Sequence, residues 1–466
     1  MYAHIILSMV LIMQHIWANQ ALVGGQWRQS VAVEIDEDGR ISAVTSDAPR
    51  LDTRVDVLLP APANLHSHAF QRAMAGLTER RGPEGRDTFW TWRQLMFRFL
   101  EELTPEDIEA IAAYVQMEMM EAGYASVGEF HYLHHQPDGT PYDDIGELSA
   151  RIAAAAEQSG IGLTLLPVLY GQGGCDGAPL RRGQARFGNR LERFAKLYSR
   201  AEKIVDTLSS DSGIGVAPHS LRAVNREELA DVISLATEGP LHMHLAEQVA
   251  EVDEVQAAYG QRPVHWLLDH HEVSSRWCLI HCTQMTETET VRLARTGAVA
   301  GLCPITESSL GDGIFNAAGF LAEGGRFGIG SDSNIRIALS EELRTLEYSQ
   351  RLRDRHRAIL SSADRSTGRL LFDEAVRGGA QALGRRSGEI AVGHWADLLA
   401  LNTEAVDLEG KAGDTLLDAY VFAGDDRMVS DLWTAGRHMV REGRHVARAR
   451  IEATYRKVAT SLLERI

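Results

Sequence analysis

Leu241-His-Met-His-Leu-Ala-Glu247 is the stretch on which the reading of this chain turns. It is an apolar run too brief for a helix, with two histidines on one face and a carboxylate just beyond its end. Seven more runs accompany it, at residues 57–66, 126–130, 161–169 and 214–219 before it, and at 277–281, 298–304 and 327–332 after it. Helical patterns separate them, which is the alternation of βα units on a parallel sheet. Eight such units predict a closed (β/α)8 barrel of the TIM type rather than an open sheet. Polar residues at the carboxyl ends of its strands then stand where barrels build their active sites.

Between the first two runs, Thr104-Pro-Glu-Asp107 predicts a helix start, and Ile108, Ile111, Ala112, Val115 and Met119 recur at helical spacing. Gly123 ends that helix. The flanks read differently. Val31-Ala-Val-Glu-Ile35, a turn at Asp36-Glu-Asp-Gly39 and Ile41-Ser-Ala-Val44 form a small β unit. β-like stretches return at Gly388-Glu-Ile-Ala-Val-Gly393, Ala396-Asp-Leu-Leu-Ala-Leu401 and Met428-Val-Ser-Asp-Leu-Trp433. We therefore expect an α/β protein in which residues 59–385 form the barrel. Residues 1–58 and 386–440 together form a small β-sandwich domain, and residues 441–466 form a terminal helix.

At 466 residues, 44% of them hydrophobic and 24% charged, the composition is that of a folded globular chain. Lys+Arg 47 against Asp+Glu 64 leaves −17, which repels nucleic acid and anionic membrane, and no basic block reverses it locally. An anionic ligand needs a private cationic pocket. The four cysteines, Cys175, Cys278, Cys282 and Cys303, are too few for a disulfide framework and point to a reducing, cytoplasmic setting. Cys278 and Cys282 read as buried strand residues rather than zinc ligands. The apolar run at residues 5–13 has no basic residue before it and reads as part of an extension, residues 1–14, not as a signal peptide.

His66 and His68 close the first run, and residues two apart on a strand turn both imidazoles toward one ion. His244 and Glu247 follow the fifth, His281 ends the sixth, and Asp332 ends the eighth; His242 reads as a core histidine. Each alone is weak, but four strand ends of one barrel are not. In this order the motifs resemble the amidohydrolase superfamily, whose members carry a small companion β domain. Its two-metal members use a carboxylated lysine after the fourth strand, where this chain has Ala217-Pro-His219-Ser, so the resemblance implies the one-metal deaminase branch. It also implies His66, His68, His244 and Asp332 as ligands of one divalent metal, zinc or else ferrous iron.

Asn64-Leu-His-Ser-His-Ala-Phe-Gln71, Ala217-Pro-His219-Ser-Leu-Arg222, His244-Leu-Ala-Glu247 and the loop Thr306-Glu-Ser-Ser-Leu-Gly-Asp-Gly313 resemble, more narrowly, the formimidoylglutamate deiminase family. That resemblance implies hydrolytic loss of ammonia from a formimino group on a dicarboxylate, a step of histidine degradation. Asp332 would accept a proton from water, Glu247 would carry a proton to the departing nitrogen, and His281 would orient the attacking oxygen or stabilise the intermediate. Arg222 suits a carboxylate, with His219 and Gln71 beside it; Arg93 and Tyr132 are candidates for the other carboxylate. The glycine-rich stretch 171–177, followed by Arg181, Arg182 and Arg186, reads either as a lid or as a solvated loop. Deamination of a purine or pyrimidine ring is the competing activity, and a non-catalytic barrel the competing class. A homodimer is the expected assembly.

Overall fold

The computed structural model describes residues 14–79 and 89–466, so the expectation for the amino-terminal extension lies, but for Gln14, outside the described residues. Four strands come from the amino end: β1 (Gln14–Val23), β2 (Gln26–Ile35), β3 (Ile41–Thr45) and β4 (Arg54–Pro60). The middle of the chain supplies β5 (Ala63–Ser67), β6 (Ser126–His131), β7 (Gly162–Leu169), β8 (Gly213–Ile214), β9 (Ala217–Pro218), β10 (Leu241–Leu245), β11 (Trp277–His281), β12 (Val299–Leu302) and β13 (Arg326–Ile329). The carboxyl end adds β14 (Leu398–Leu401), β15 (Val429–Thr434), β16 (Arg437–Arg441) and β17 (Arg444–His445).

The two ends meet in one eight-stranded sheet, ordered β17-β16-β15-β14-β4-β1-β2-β3. Its seam is the antiparallel pairing of β14 with β4, where Leu399 lies opposite Leu59. The expected sandwich is, in its hydrogen bonding, a single continuous sheet. It has its own apolar cluster, including Ile16, Val33, Ile41, Leu58, Leu398 and Trp433. The stretch 388–393, expected as a strand, is not one: Gly388 and Gly393 take left-handed backbone, with φ 83° and 81°, and turn the chain out of any ladder.

The middle strands form two parallel sheets, β10-β11-β12-β13 and β5-β6-β7-β8, with β9 also pairing with β7. Two isolated parallel bridges, Ser67 to Asp332 and Val216 to Leu241, join residues of one sheet to residues of the other. These units are strands of a TIM-barrel type of fold. Two of the eight predicted runs are resolved differently. Residues 57–66 split into β4 of the end sheet and β5 of the parallel one, because Pro60 and Pro62 carry no N–H and break the ladder between them. Residues 214–219 become the two short strands β8 and β9.

Helix α1 (Phe89–Glu102) leads into α2 (Pro105–Glu121), which begins on a capping box: Thr104 Oγ1 accepts from Asp107 N, and Asp107 Oδ2 accepts from Thr104 N. Such a cap contributes about 1 kcal/mol. The carboxyl-terminal helix Arg448–Arg465 lies against α2, with Tyr455 stacked on Tyr114 at 4.0 Å and Arg465 paired with Asp107 at 2.8 Å. Among the described residues no helix is long and apolar enough to cross a membrane.

Candidate metal centre and active site

The carboxyl ends of β5, β10, β11 and β13 carry the polar residues that the sequence singles out. His66 lies within β5 and His68 just after it, His244 is on β10, His281 ends β11, and Asp332 follows β13. All of them are buried. The chain bends sharply here: Ala246, His281, Cys282, Asp332 and Asn334 all have positive φ, between 46° and 70°. Non-glycine residues rarely adopt that conformation, and such strain collects where function requires it. Gly330 lets the β13 loop approach β5, since a Cβ there would sit 2.8 Å from both Cβ and O of His66.

The ligand atoms of His66, His68, His244 and Asp332 lie within 4.8 Å of one another. Asp332 Oδ1 is 3.4 Å from His66 Nε2 and 3.3 Å from His68 Nε2. Two rings have settled tautomers. His68 Nδ1 donates to the carbonyl of Phe130 at 3.0 Å, and His244 Nδ1 donates to that of His219 at 3.2 Å. A carbonyl only accepts, so each Nε2 keeps its lone pair. Neither ring nitrogen of His66 has a hydrogen-bond partner among the described residues. Burial holds the His66 imidazole down to about 3 and lowers those of His68 and His244. Burial would raise the Asp332 carboxyl, but His66 and the other imidazoles hold it below the usual range. Three neutral imidazoles, one carboxylate and two orphaned nitrogens fit a divalent cation.

Beside this centre sit two buried titratable groups, Glu247 and His281. Glu247 is pushed up to about 7, first by burial and then by nearby carboxylates, with His281 opposing. His281 Nε2 is 3.9 Å from Glu247 Oε1 and 3.8 Å from Asp332 Oδ2. Burial alone would lower His281, but Glu247, Glu307 and Asp332 outweigh it and hold it well above its ordinary value. His242 is buried with its Nε2 bound to the Ala382 carbonyl, a core histidine as expected.

The pocket above the centre brings together every remaining predicted site residue: Gln71, Arg93, Tyr132, His219 and Arg222. Gln71 Nε2 donates to Tyr132 Oη at 2.8 Å, while Gln71 Oε1 has no partner among the described residues. Arg93, on α1, donates to Tyr170 Oη at 2.8 Å. Tyr170, Phe187, Met96, Leu310 and Ser333 also line the pocket and were not singled out from sequence. Tyr170 directly follows β7, and that strand-end position was the available signal.

The stretch expected as a lid or solvated loop is neither along its whole length. Residues 171–181 have no regular secondary structure, but Arg182–Phe187 is a 3₁₀ helix with Gln184, Arg186 and Phe187 buried. Arg186 is locked by the carbonyls of His135 at 2.8 Å and Leu103 at 3.0 Å.

The amidohydrolase family matches residues 57–439, and the chain belongs to that family. It is 47% identical over 456 residues to a formimidoylglutamate deiminase of Pseudomonas aeruginosa, covering 97% of this chain and 100% of that one. The crystal structure of an amidohydrolase from Brucella melitensis superposes with a TM-score of 0.93 at 48% identity, over 97% of this chain and 100% of that one. An adenosine deaminase from Xanthomonas campestris, solved with bound zinc, shares the fold at 22% identity and a TM-score of 0.79, over 97% and 98% of the two chains.

Proposed function

We propose that this chain hydrolyses N-formimino-L-glutamate to N-formyl-L-glutamate and ammonia, a step of histidine degradation. The observation that carries the reading is one pocket lined by Glu247, His281 and Asp332 at its floor and by two guanidinium groups, Arg93 and Arg222. The near-full-length likeness to a formimidoylglutamate deiminase supports it.

His66, His68, His244 and Asp332 would hold one divalent ion, zinc first and ferrous iron second. Such an ion, when bound, lowers the pKa of a water to about 7 and so supplies hydroxide at neutral pH. The oxygen of the attacking water bonds to the formimino carbon, and Asp332 takes the proton that the water sheds. Glu247, poised near neutrality, delivers a proton to the terminal nitrogen of the formimino group, whose C–N bond breaks to release ammonia. His281 presents its Nε2 edge to the oxygen on which charge develops. Arg222 and Arg93 take the two carboxylates, helped by His219, Gln71 and Tyr132, and hold the glutamate nitrogen away from the acid.

The aromatic walls Trp92, Tyr132 and Phe187 favour a second reading, deamination of a purine or pyrimidine ring. A neutral ring offers nothing anionic to the two arginines. The same proposal takes the two parallel sheets as one closed (β/α)8 ring, supported by the two bridges between them, and shifts the expected bounds of 59–385, 1–58 with 386–440, and 441–466: β4 carries the end sheet through Pro60, β17 carries it to His445, and the terminal helix starts at Arg448. A cytoplasmic homodimer with neither nucleic acid nor membrane as partner suits the charge of −17 and the four free cysteines.

The test is ammonia release from N-formimino-L-glutamate by the zinc-loaded protein, with N-formyl-glutamate and glutamate assayed together. Equal amounts of ammonia and N-formyl-glutamate are expected; formamide with glutamate, or no turnover in metal-replete protein, overturns the reading. Glu247→Gln should lower kcat by roughly 10²–10⁴-fold with metal still bound, and an active Gln variant removes Glu247 from the proton path.

A further inference from the structure

Behind the active site lies a carboxylate that the reaction as described does not use. His281 stands at φ 70° and Cys282 at φ 53°, a backbone turn that aims the imidazole between two partners. Its Nε2 edge faces Glu247 and Asp332, as given above, and its Nδ1 lies 3.2 Å from Glu307 Oε1. A carboxylate oxygen accepts and does not donate, so the Nδ1 carries a proton.

Glu307 is itself fixed. Its Oε1 also accepts from Cys303 N at 2.8 Å, and it rides on the short helix Pro304–Leu310. That helix is tied down at Ile305 N, which donates to Glu342 Oε2 at 2.8 Å, and at Thr306 Oγ1, which is 2.9 Å from Ser333 Oγ beside Asp332. His281, Cys303 and Glu307 are close enough to hold an ion of their own. Yet the Glu307 oxygen nearest His281 is already occupied by two N–H donors, His281 Nδ1 and Cys303 N.

We propose that Glu307 is a positioning residue for the hydrolysis. It holds the His281 ring in one orientation, with Nδ1–H on its own carboxylate and the Nε2 edge toward the reacting atoms, and it does not serve as a second metal ligand. The proposal rests on the reading of His281 given above. Without Glu307 the ring is free to turn about its Cβ–Cγ bond and to exchange its two nitrogens. A reacting group displaced by about 1 Å costs on the order of 10²-fold.

The experiment compares zinc-loaded wild type, Glu307→Ala, Glu307→Gln, His281→Asn and the double variant His281→Asn/Glu307→Ala. Expected are a kcat roughly 10²-fold lower in Glu307→Ala with KM within about 3-fold, recovery of most of that loss in Glu307→Gln, and no further loss when Glu307→Ala is added to His281→Asn. Equal kcat in Glu307→Ala, or fully additive losses in the double variant, overturns the proposal. A proton NMR readout needs no substrate. A downfield imidazole N–H resonance, assigned by its absence in His281→Asn, should vanish in Glu307→Ala and move upfield in Glu307→Gln; a resonance unmoved in Glu307→Gln overturns the proposal even if Glu307→Ala does not fold. Two metal ions per wild-type chain, one of them lost in Cys303→Ser, would also overturn it. Failure of N-formimino-L-glutamate as substrate, with the resonance behaving as stated, sinks the substrate reading and leaves Glu307 in its role.

Discussion

Two buried polar clusters occupy opposite ends of the parallel strands, and they are built on opposite rules. At the carboxyl ends, His66 has no hydrogen-bond partner for either ring nitrogen among the described residues, and neighbouring residues sit in left-handed backbone. At the amino ends, Arg385 donates to Asp397 at 2.6 and 2.9 Å and to Asp211 at 2.9 Å, and Arg437 adds bonds to Asp211 at 2.8 and 2.9 Å. No side-chain atom of this second cluster lacks a partner. It ties Asp211, two residues before β8, the chain after the helix Thr367–Ala382 and the end sheet into one unit. A polar cluster complete in itself is a fastener, whereas one left incomplete is open to a ligand.

That contrast can be broken at either end. The largest effect belongs to Asp332→Ala: it should abolish metal binding and lower kcat/KM on the order of 10⁴-fold or more, while the protein stays folded. Metal analysis beside circular dichroism reads both, and a metal-replete, active variant would place the centre elsewhere. Arg385→Met reverses the pattern. It strands the buried Asp397 carboxylate, leaves Asp211 with Arg437 as its one arginine, and should cost about 3–5 kcal/mol of stability, seen in urea unfolding, with kcat per folded molecule unchanged.

Acid sharpens the comparison further. Burial would raise Asp211, but Arg385 and Arg437 outweigh it and hold it below its ordinary value of 3.8. A carboxyl depressed on folding stabilises above its unfolded pKa, and that contribution fades as pH falls from about 3.8 through the lower folded value. The stability gap between wild type and Asp211→Asn should therefore be constant near neutrality and close only in strong acid. A gap unchanged down to the acid limit would remove the charge from the account. The smallest effect is that of Thr104→Ala, about 1 kcal/mol in unfolding and nothing in catalysis, because the cap touches neither cluster.

What was legible in the sequence follows the range of the forces involved. The capping box at Thr104 and the paired imidazoles of His66 and His68 are local, set within a few residues by backbone geometry. The break at Pro60 and Pro62 was equally local, but an unbroken apolar run hid it, since both neighbouring strands are buried. Tyr170 escaped notice, and Glu307 stood in the loop 306–313 without a role, for another reason: nothing near Tyr170 in sequence announces Arg93, and nothing near Glu307 announces His281. Arg186 looked like a loop cation because only distant carbonyls reveal it as buried.

The sequence by itself determined the strand-and-helix alternation, the residues able to bind a metal and the negative charge that confines any anion to a cationic pocket. Those properties depend on side-chain type and on spacing along the chain. Only the tertiary structure decided that the two chain ends share one sheet, that two arginines look onto one pocket, and that a single carboxylate backs His281. Each of these is a meeting of residues far apart in sequence, and which distant groups meet is settled by the packing of the whole chain.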